Sequence, residues 1–332
     1  MKKFLINLIL YLLPLVVVLV SGDIIITSGL QKTNHDTFKS WNDIYNGKIK
    51  SNVIINGSSR AMVQVSTEIL DSVLNVNSYN LGTNSLFFNL QYAKYNEFER
   101  YNMPPDIVIQ TLDMFTLQTR SSLPEPLQFL PYFFKIKLRR TIMEYKEGFN
   151  LSEYYIPSLR YINNTDIAEI GLKEIFNLKS YQSKKIKGYQ PTKRKWDGSF
   201  EKFKKKYPKG IRRPLDDTTI QLFDKFLSKC KTDSMTVFLV YTPEFTEGHA
   251  MTKNRDEIIK TYRNFSEKYD FPFFDYSQNF ISQDKSLFYN SQHLKAKGAA
   301  IFSKVLAEDI KKWLAENSEN LISKNKILTE KK

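Results

Sequence analysis

The chain has almost no cysteine and very little histidine. Its one cysteine, Cys230, excludes an intramolecular disulfide, so an exported domain would have to be held by its core. The preceding residues, Leu222 to Lys229, read as an amphipathic helix with no histidine or thiolate stabiliser beside the thiol, which points to a buried structural cysteine rather than a nucleophile. Three scattered histidines, His35, His249 and His293, give no zinc spacing, and there is no glycine-rich phosphate loop. Chemistry without metal or cofactor is the expectation. No internal repeat is visible. Aromatic residues are plentiful, at 14% of 332 residues with 42% hydrophobic overall, enough to fill one large α/β domain with an insertion or two small domains.

The formal net charge of +14 favours anionic partners, and topology decides which. After Met1-Lys2-Lys3 an apolar run extends from Phe4 to Val20 with Asn7 its only strongly polar member, and Ile24 to Ile26 can lengthen it. At ~1.5 Å per helical residue this is near the short limit for crossing a bilayer. A cleaved signal peptide is the competing reading, but no Ala-x-Ala site follows, only the small pair Ser21-Gly22. The expectation is an uncleaved transmembrane anchor over residues 1–26 with its lysines cytoplasmic, a juxtamembrane stalk over 27–50, and the remainder outside the cytoplasm, in the periplasm or at the cell surface. Nucleic acid is then excluded as a partner, and the membrane is one.

From residue 51 an α/β alternation begins. Strands are predicted at 52–55, 76–81, 107–111, 235–241 and 272–276, with helices at 61–74, 86–101, 217–229, 255–268 and 299–314. This order implies a three-layer, flavodoxin-like parallel sheet over 51–317, with ligands at the carboxyl ends of the strands. Residues 118–215 break the pattern. They are basic and aromatic, read as a helical insertion, and include a dense Lys/Arg segment from Lys179 to Arg213 that suits anionic glycans or lipid headgroups when solvated. Residues 318–332 read as a polar tail.

Two points carry chemistry. Asn52 to Asn56 is a β-branched run ending in Gly57-Ser58-Ser59-Arg60, where glycine permits a sharp turn and a helix follows. Far downstream, Asn290-Ser291-Gln292-His293-Leu294 precedes the last helix. Ser59 and His293 form a candidate nucleophile–base pair. Each feature has an ordinary alternative: a serine that caps a helix, and a surface histidine.

Gly57-Ser58-Ser59, Asn80-Leu81-Gly82 and Asn290-Ser291-Gln292-His293 with Gly298 beyond, in that order, resemble three blocks of the SGNH (GDSL-like) hydrolase superfamily. With the N-terminal anchor they especially resemble exported members linked to polysaccharide O-acetylation or D-alanylation. The resemblance covers roughly residues 50–115 and 217–315. It implies that Ser59 attacks an ester carbonyl, that His293 is its base, and that the N–H groups of Ser59 and Gly82 hold the oxyanion. It also implies an acyl-enzyme that either water or a sugar hydroxyl resolves.

Two departures stand out. Asn290 occupies the acid's place, and Gln110-Thr111-Leu112-Asp113 stands where many members carry Gly-x-Asn-Asp, so the usual asparagine donor is absent. Asn84 is a candidate substitute. Asp113 is read as orienting His293, binding a substrate hydroxyl, or capping a strand end. Arg60 either binds a substrate carboxylate or forms an ion pair across the strand ends. Glu244 is an auxiliary acid, a sugar ligand or a loop charge, and His249 close behind it is expected in solvent. The expected activity is an extracytoplasmic esterase or acyltransferase on acyl esters of a cell-surface saccharide. Its partners would be acylated or anionic saccharide and other cell-envelope polysaccharide-modification proteins. The alternative is a catalytically impaired glycan-binding or assembly protein on the same fold.

Overall fold

The structure, a computed structural model, describes residues 1–317, apart from the side chains of Leu5 and Ile9. The predicted tail lies outside them. In chain order the helices are α1 (Lys2–Lys32), α2 (Lys39–Tyr45), α3 (Ser59–Gln64), α4 (Thr67–Leu74), α5 (Phe88–Tyr101), α6 (Ile136–Met143), α7 (Leu151–Tyr155), α8 (Leu159–Ile162), α9 (Thr165–Ile175), α10 (Ser199–Lys206), α11 (Asp217–Thr232), α12 (Arg255–Tyr269) and α13 (Ala296–Glu316). The strands are β1 (Val53–Asn56), β2 (Ser78–Asn80), β3 (Ile107–Leu112), β4 (Thr236–Tyr241), β5 (Phe273–Asp275), β6 (Phe288–Asn290) and β7 (His293–Leu294). The chain folds as two compact units. The first holds Met1–Ile49, Tyr92–Asn102 and Thr119–Lys184, and the second holds Lys50–Gln91, Met103–Gln118 and the chain from Lys185 onward.

The second unit is built on a five-stranded parallel sheet in the order β2-β1-β3-β4-β5, the flavodoxin-like order. The three central strands, β1, β3 and β4, are mostly apolar because both faces are covered. Ile55, Ile109, Phe238 and Val240 pack beneath Ala61, Leu70, Phe302, Leu306 and Ile310 of α3, α4 and α13. On the other face the rings of Phe88, Phe223, Phe226 and Tyr262 interlock edge to face. The predicted helix over 61–74 is two helices: the chain leaves helical geometry at Val65, and the Ser66 N–H donates to Ser303 Oγ at 2.8 Å. Cys230 is fully buried, as expected for a structural thiol.

The first unit is helical. The apolar half of α1 is exposed, and the helix is long and apolar enough to cross a membrane, a test that a signal sequence also passes. Its second half is buried against α9. A Cβ on Gly29 would lie 1.9 Å from Gly171 O, and one on Gly171 would lie 2.5 Å from Ile26 O, so only glycine allows the two helices this approach. Arg160 Nη2 pairs with Asp23 Oδ1 at 2.6 Å, with both side chains buried, and the Ser158 N–H donates to Asp23 Oδ2 at 2.8 Å.

This departs from the expected stalk. Residues 27–50 bury Leu30, Phe38, Trp41 and Ile44, and their polar members bond inward: Asn42 Nδ2 donates to Leu30 O and Thr33 O, each at 2.9 Å. The expected insertion also divides. Its first part, to Lys184, belongs to the helical unit, while Lys185 onward belongs to the sheet unit.

Removing one partner of a buried ion pair leaves an uncompensated charge. Asp23→Leu should therefore destabilise the full chain in detergent micelles by ~3–5 kcal/mol in denaturant unfolding, and Asp23→Leu/Arg160→Met should recover more than half of that loss.

Candidate active site

β1 delivers Ser59 to the carboxyl edge of the sheet. Gly57 has φ 154°, and a Cβ there would lie 1.9 Å from Thr111 Oγ1, so the turn requires glycine. Ser58 caps α3 by accepting from the Arg60 N–H at 3.3 Å, and its hydroxyl donates to Asp113 Oδ2 at 2.7 Å. Ser59 is the first helical residue, where the amide has no intrahelical acceptor, and its side chain is partly exposed.

The two-stranded β6–β7 hairpin brings the other partners. Ser59 Oγ lies 2.7 Å from His293 Nε2, and His293 Nδ1 lies 2.9 Å from Asn290 Oδ1. The Asn290 amide is held in one orientation by two further contacts. Its oxygen accepts the Gln292 N–H at 3.0 Å, and its nitrogen donates to Asp197 Oδ2 at 3.3 Å. Turned over, it would set an N–H against an N–H and an oxygen against a carboxylate. The oxygen therefore faces Nδ1, which must carry the proton. Nε2 is left with its lone pair toward the serine hydroxyl, which donates to it.

The His293 ring lies parallel to Tyr289, with centroids 5.3 Å apart and planes 6° apart. Burial, followed by the field of Arg60, pulls the His293 pKa down to about 4. Partial burial acts against the Asp197 charge, but hydrogen bonds from Ser199 and Asn290 outweigh it and hold the carboxyl below its usual range.

Asp113 and Arg60 take the structural one of their readings, while His249 and the Gly82 N–H are placed differently from expectation. Asp113 does not reach His293. Its Oδ1 takes the Phe115 N–H at 2.7 Å and the Thr116 hydroxyl at 3.2 Å while Oδ2 takes Ser58, so it braces the turn. Arg60 is 2% exposed and bonds inward, with Nε on Thr242 Oγ1 at 2.9 Å, Nη1 on Glu244 Oε2 at 3.2 Å and Nη2 on Thr242 O. It is the ion pair across the strand ends, not a surface ligand.

Glu244 is buried and also accepts from the Tyr241 hydroxyl at 2.6 Å. His249, expected in solvent, has its Nε2 3.5 Å from Glu244 Oε1. The Gly82 N–H, expected in an oxyanion hole, donates to Asn80 Oδ1 at 2.9 Å. Asn80 Nδ2 donates in turn to Ala61 O and Val65 O, at 2.8 and 3.0 Å, tying this loop to α3. A Cβ on Gly82 would lie 2.5 Å from Met62 N. Asn84 lies exposed in the loop that follows.

Sequence reasoning did not assign Asp197 or Asn80 a role. Asp197 had one visible signal: it is the first carboxylate after Glu174, within an otherwise basic stretch. Beside the hairpin is a cavity of about 220 Å³, lined in part by Asn290, Ser291, Gln292, Glu244 and Arg213. Among the described residues, no group of three or more His, Cys, Asp or Glu side chains is placed to hold a metal ion.

No family model matches the chain, and no curated protein matches it. Among solved structures, a proposed acylhydrolase from Bacteroides fragilis NCTC 9343 is similar over 79% of this chain and 87% of its own, with 10% identity and a TM-score of 0.37.

The amide geometry makes a spectroscopic prediction. With ¹⁵N-labelled histidine, His293 should show the neutral Nδ1–H tautomer at pH 6 and titrate near pH 4. Titration near the ordinary ~6.5 would contradict the burial of this ring.

Proposed function

We propose that this protein is a serine esterase or acyltransferase of the SGNH type, anchored by α1 and acting outside the cytoplasm on acyl esters of a cell-surface saccharide. The observation that carries the reading is the Ser59–His293 contact of 2.7 Å with the far ring nitrogen already bonded. Ser59 Oγ attacks the ester carbonyl carbon as its proton passes to His293 Nε2. The carbonyl oxygen becomes an oxyanion beside the Ser59 N–H. When the C–O bond breaks, the leaving alcohol takes the proton back from Nε2. The acyl-enzyme is then resolved by water or by a sugar hydroxyl, with His293 again accepting the proton.

Asn290 holds the tautomer, and Asp197 acts on His293 through Asn290 as a positioning residue. An amide dipole alone stabilises an imidazolium poorly, and a carboxylate one hydrogen bond further out supplies the missing negative charge. Retention of α1 is supported by its packing. A cut at Ser21–Gly22 would sever a continuous helix directly before Asp23, which sits in a buried ion pair.

In detergent-solubilised full chain, a fluorophosphonate probe should label wild type and not Ser59→Ala, and hydrolysis of a chromogenic acetyl ester should fall to background in that variant. Labelling of both proteins alike would remove Ser59 from the chemistry.

The base must be neutral to accept a proton, and its pKa is depressed. The rate should therefore be flat from pH 8 down to about 5 and fall as pH drops through about 4.

Asp197→Asn should lower kcat/KM roughly 10–100-fold, the worth of a ~1.5–3 kcal/mol hydrogen bond to a charged group. In an Asn290→Asp background the same change should cost nothing or restore rate, because it removes repulsion between two acids. A loss of equal size in both backgrounds would mean that Asp197 serves only to hold the fold.

A further inference from the structure

Arg213 is a half-buried cation of the second unit that takes no part in the Ser59–His293–Asn290 chain. Its guanidinium carbon sits over Phe115, 4.0 Å from the ring centroid, and its Nε donates to Thr252 Oγ1 at 3.2 Å. Among the described residues, neither Nη group of Arg213 has a hydrogen-bond acceptor and the side chain has no salt bridge. The two carboxylates nearby are committed elsewhere, Asp113 to Ser58 and the Phe115 N–H, and Glu244 to Arg60 and Tyr241. Burial accordingly lowers the Arg213 pKa, with Asp113 and Glu244 only partly offsetting it from a distance.

This arginine forms part of the wall of the 220 Å³ cavity, together with the rings of Phe115 and Phe203 and the polar groups of Ser199, Ser291 and Gln292. The cavity is smaller than the roughly 300–1,000 Å³ of sites for drug-sized ligands, so it takes a single ring or less. Aromatic walls suit the apolar face of a sugar, and hydroxyl and amide groups suit its hydroxyls. A planar fork of two free Nη groups suits one oxyanion, bound bidentately.

We propose that this cavity is an anion subsite: Arg213 binds the monoanionic group, a carboxylate or a phosphodiester, of a hydroxylated saccharide or polyol unit whose neighbouring acyl ester reaches Ser59. The location of the ester rests on the esterase reading, whereas the anion site does not.

The test uses the full chain in detergent carrying Ser59→Ala, so that binding is read without turnover. By calorimetry it is titrated with tri-galacturonate, with the same trisaccharide as its neutral methyl ester, and with a glycerol-phosphate oligomer. At least one acidic ligand should bind tenfold or more tightly than the methyl ester, and which one it is identifies the source of the anion. Adding Arg213→Met should erase that preference, and Arg213→Lys, which keeps the charge but not the fork, should retain part of it. Unfolding midpoints of the variants verify that the fold is intact. Equal affinity for acid and ester, no binding of either acidic ligand, or a preference that survives Arg213→Met overturns the proposal. If the preference holds while the fluorophosphonate fails to label Ser59 in the wild-type chain, the anion site stands and the esterase reading falls.

Discussion

The Asn290 amide can sit only one way round, and the chemistry of the site follows from that constraint. A backbone N–H on one side and a carboxylate on the other decide where its oxygen points. The oxygen decides which nitrogen of His293 keeps its proton, and the remaining lone pair faces Ser59. In a serine protease, an amide in place of the triad aspartate is damaging because it selects the wrong tautomer. Here the same substitution is compatible with the correct one, since the amide's own partners exclude the flip. A short hairpin, a strand end and a segment far upstream thus share control of a single proton.

Beneath this layer lies a buried ionic hub. Arg60, one residue past the candidate nucleophile, is clamped by Thr242 and Glu244, with its guanidinium 4.9 Å from the Tyr241 ring centroid. It joins α3 to the end of β4, so the serine turn is braced from below by a charge pair and from the side by Asp113. The field of Arg60 also helps keep His293 neutral. The cationic residue beside the serine is thus structural, whereas Arg213, distant in sequence, is a guanidinium in the cavity wall whose Nη groups are not committed to a partner among the described residues.

Much of the second unit was legible in the sequence because its signals are local. Five β-branched or aromatic runs alternating with helical spacing led to the sheet, and a glycine-serine turn at the end of the first run marked the candidate nucleophile. The pairing of Ser59 with His293 was legible from their positions after the first strand and before the last helix. Other features depended on tertiary partners. The polar look of residues 27–50 hid Asn42, whose amide satisfies two backbone carbonyls inside the helical unit. Asp197 sits in a segment whose composition reads as a solvated basic face, and its role depends on where that segment crosses the hairpin. The Gly82 N–H was assigned by motif, while its bond to Asn80 depends on a side-chain rotation that no spacing encodes. The break at Val65 likewise reflects the Asn80 side chain and Ser303 rather than a weak helical pattern.

The first unit contributes a mechanical property. Past Pro14, the one proline inside α1, the helix runs on from its exposed apolar turns into the contact between Asp23 and Arg160 with no loop between them. A flexible tether would let the helical unit tumble above any layer those turns enter. A continuous shaft instead transmits its tilt directly to α9 and to the cluster around Trp41, so that the orientation of this unit is set by one helix axis, as a flag's is by its pole.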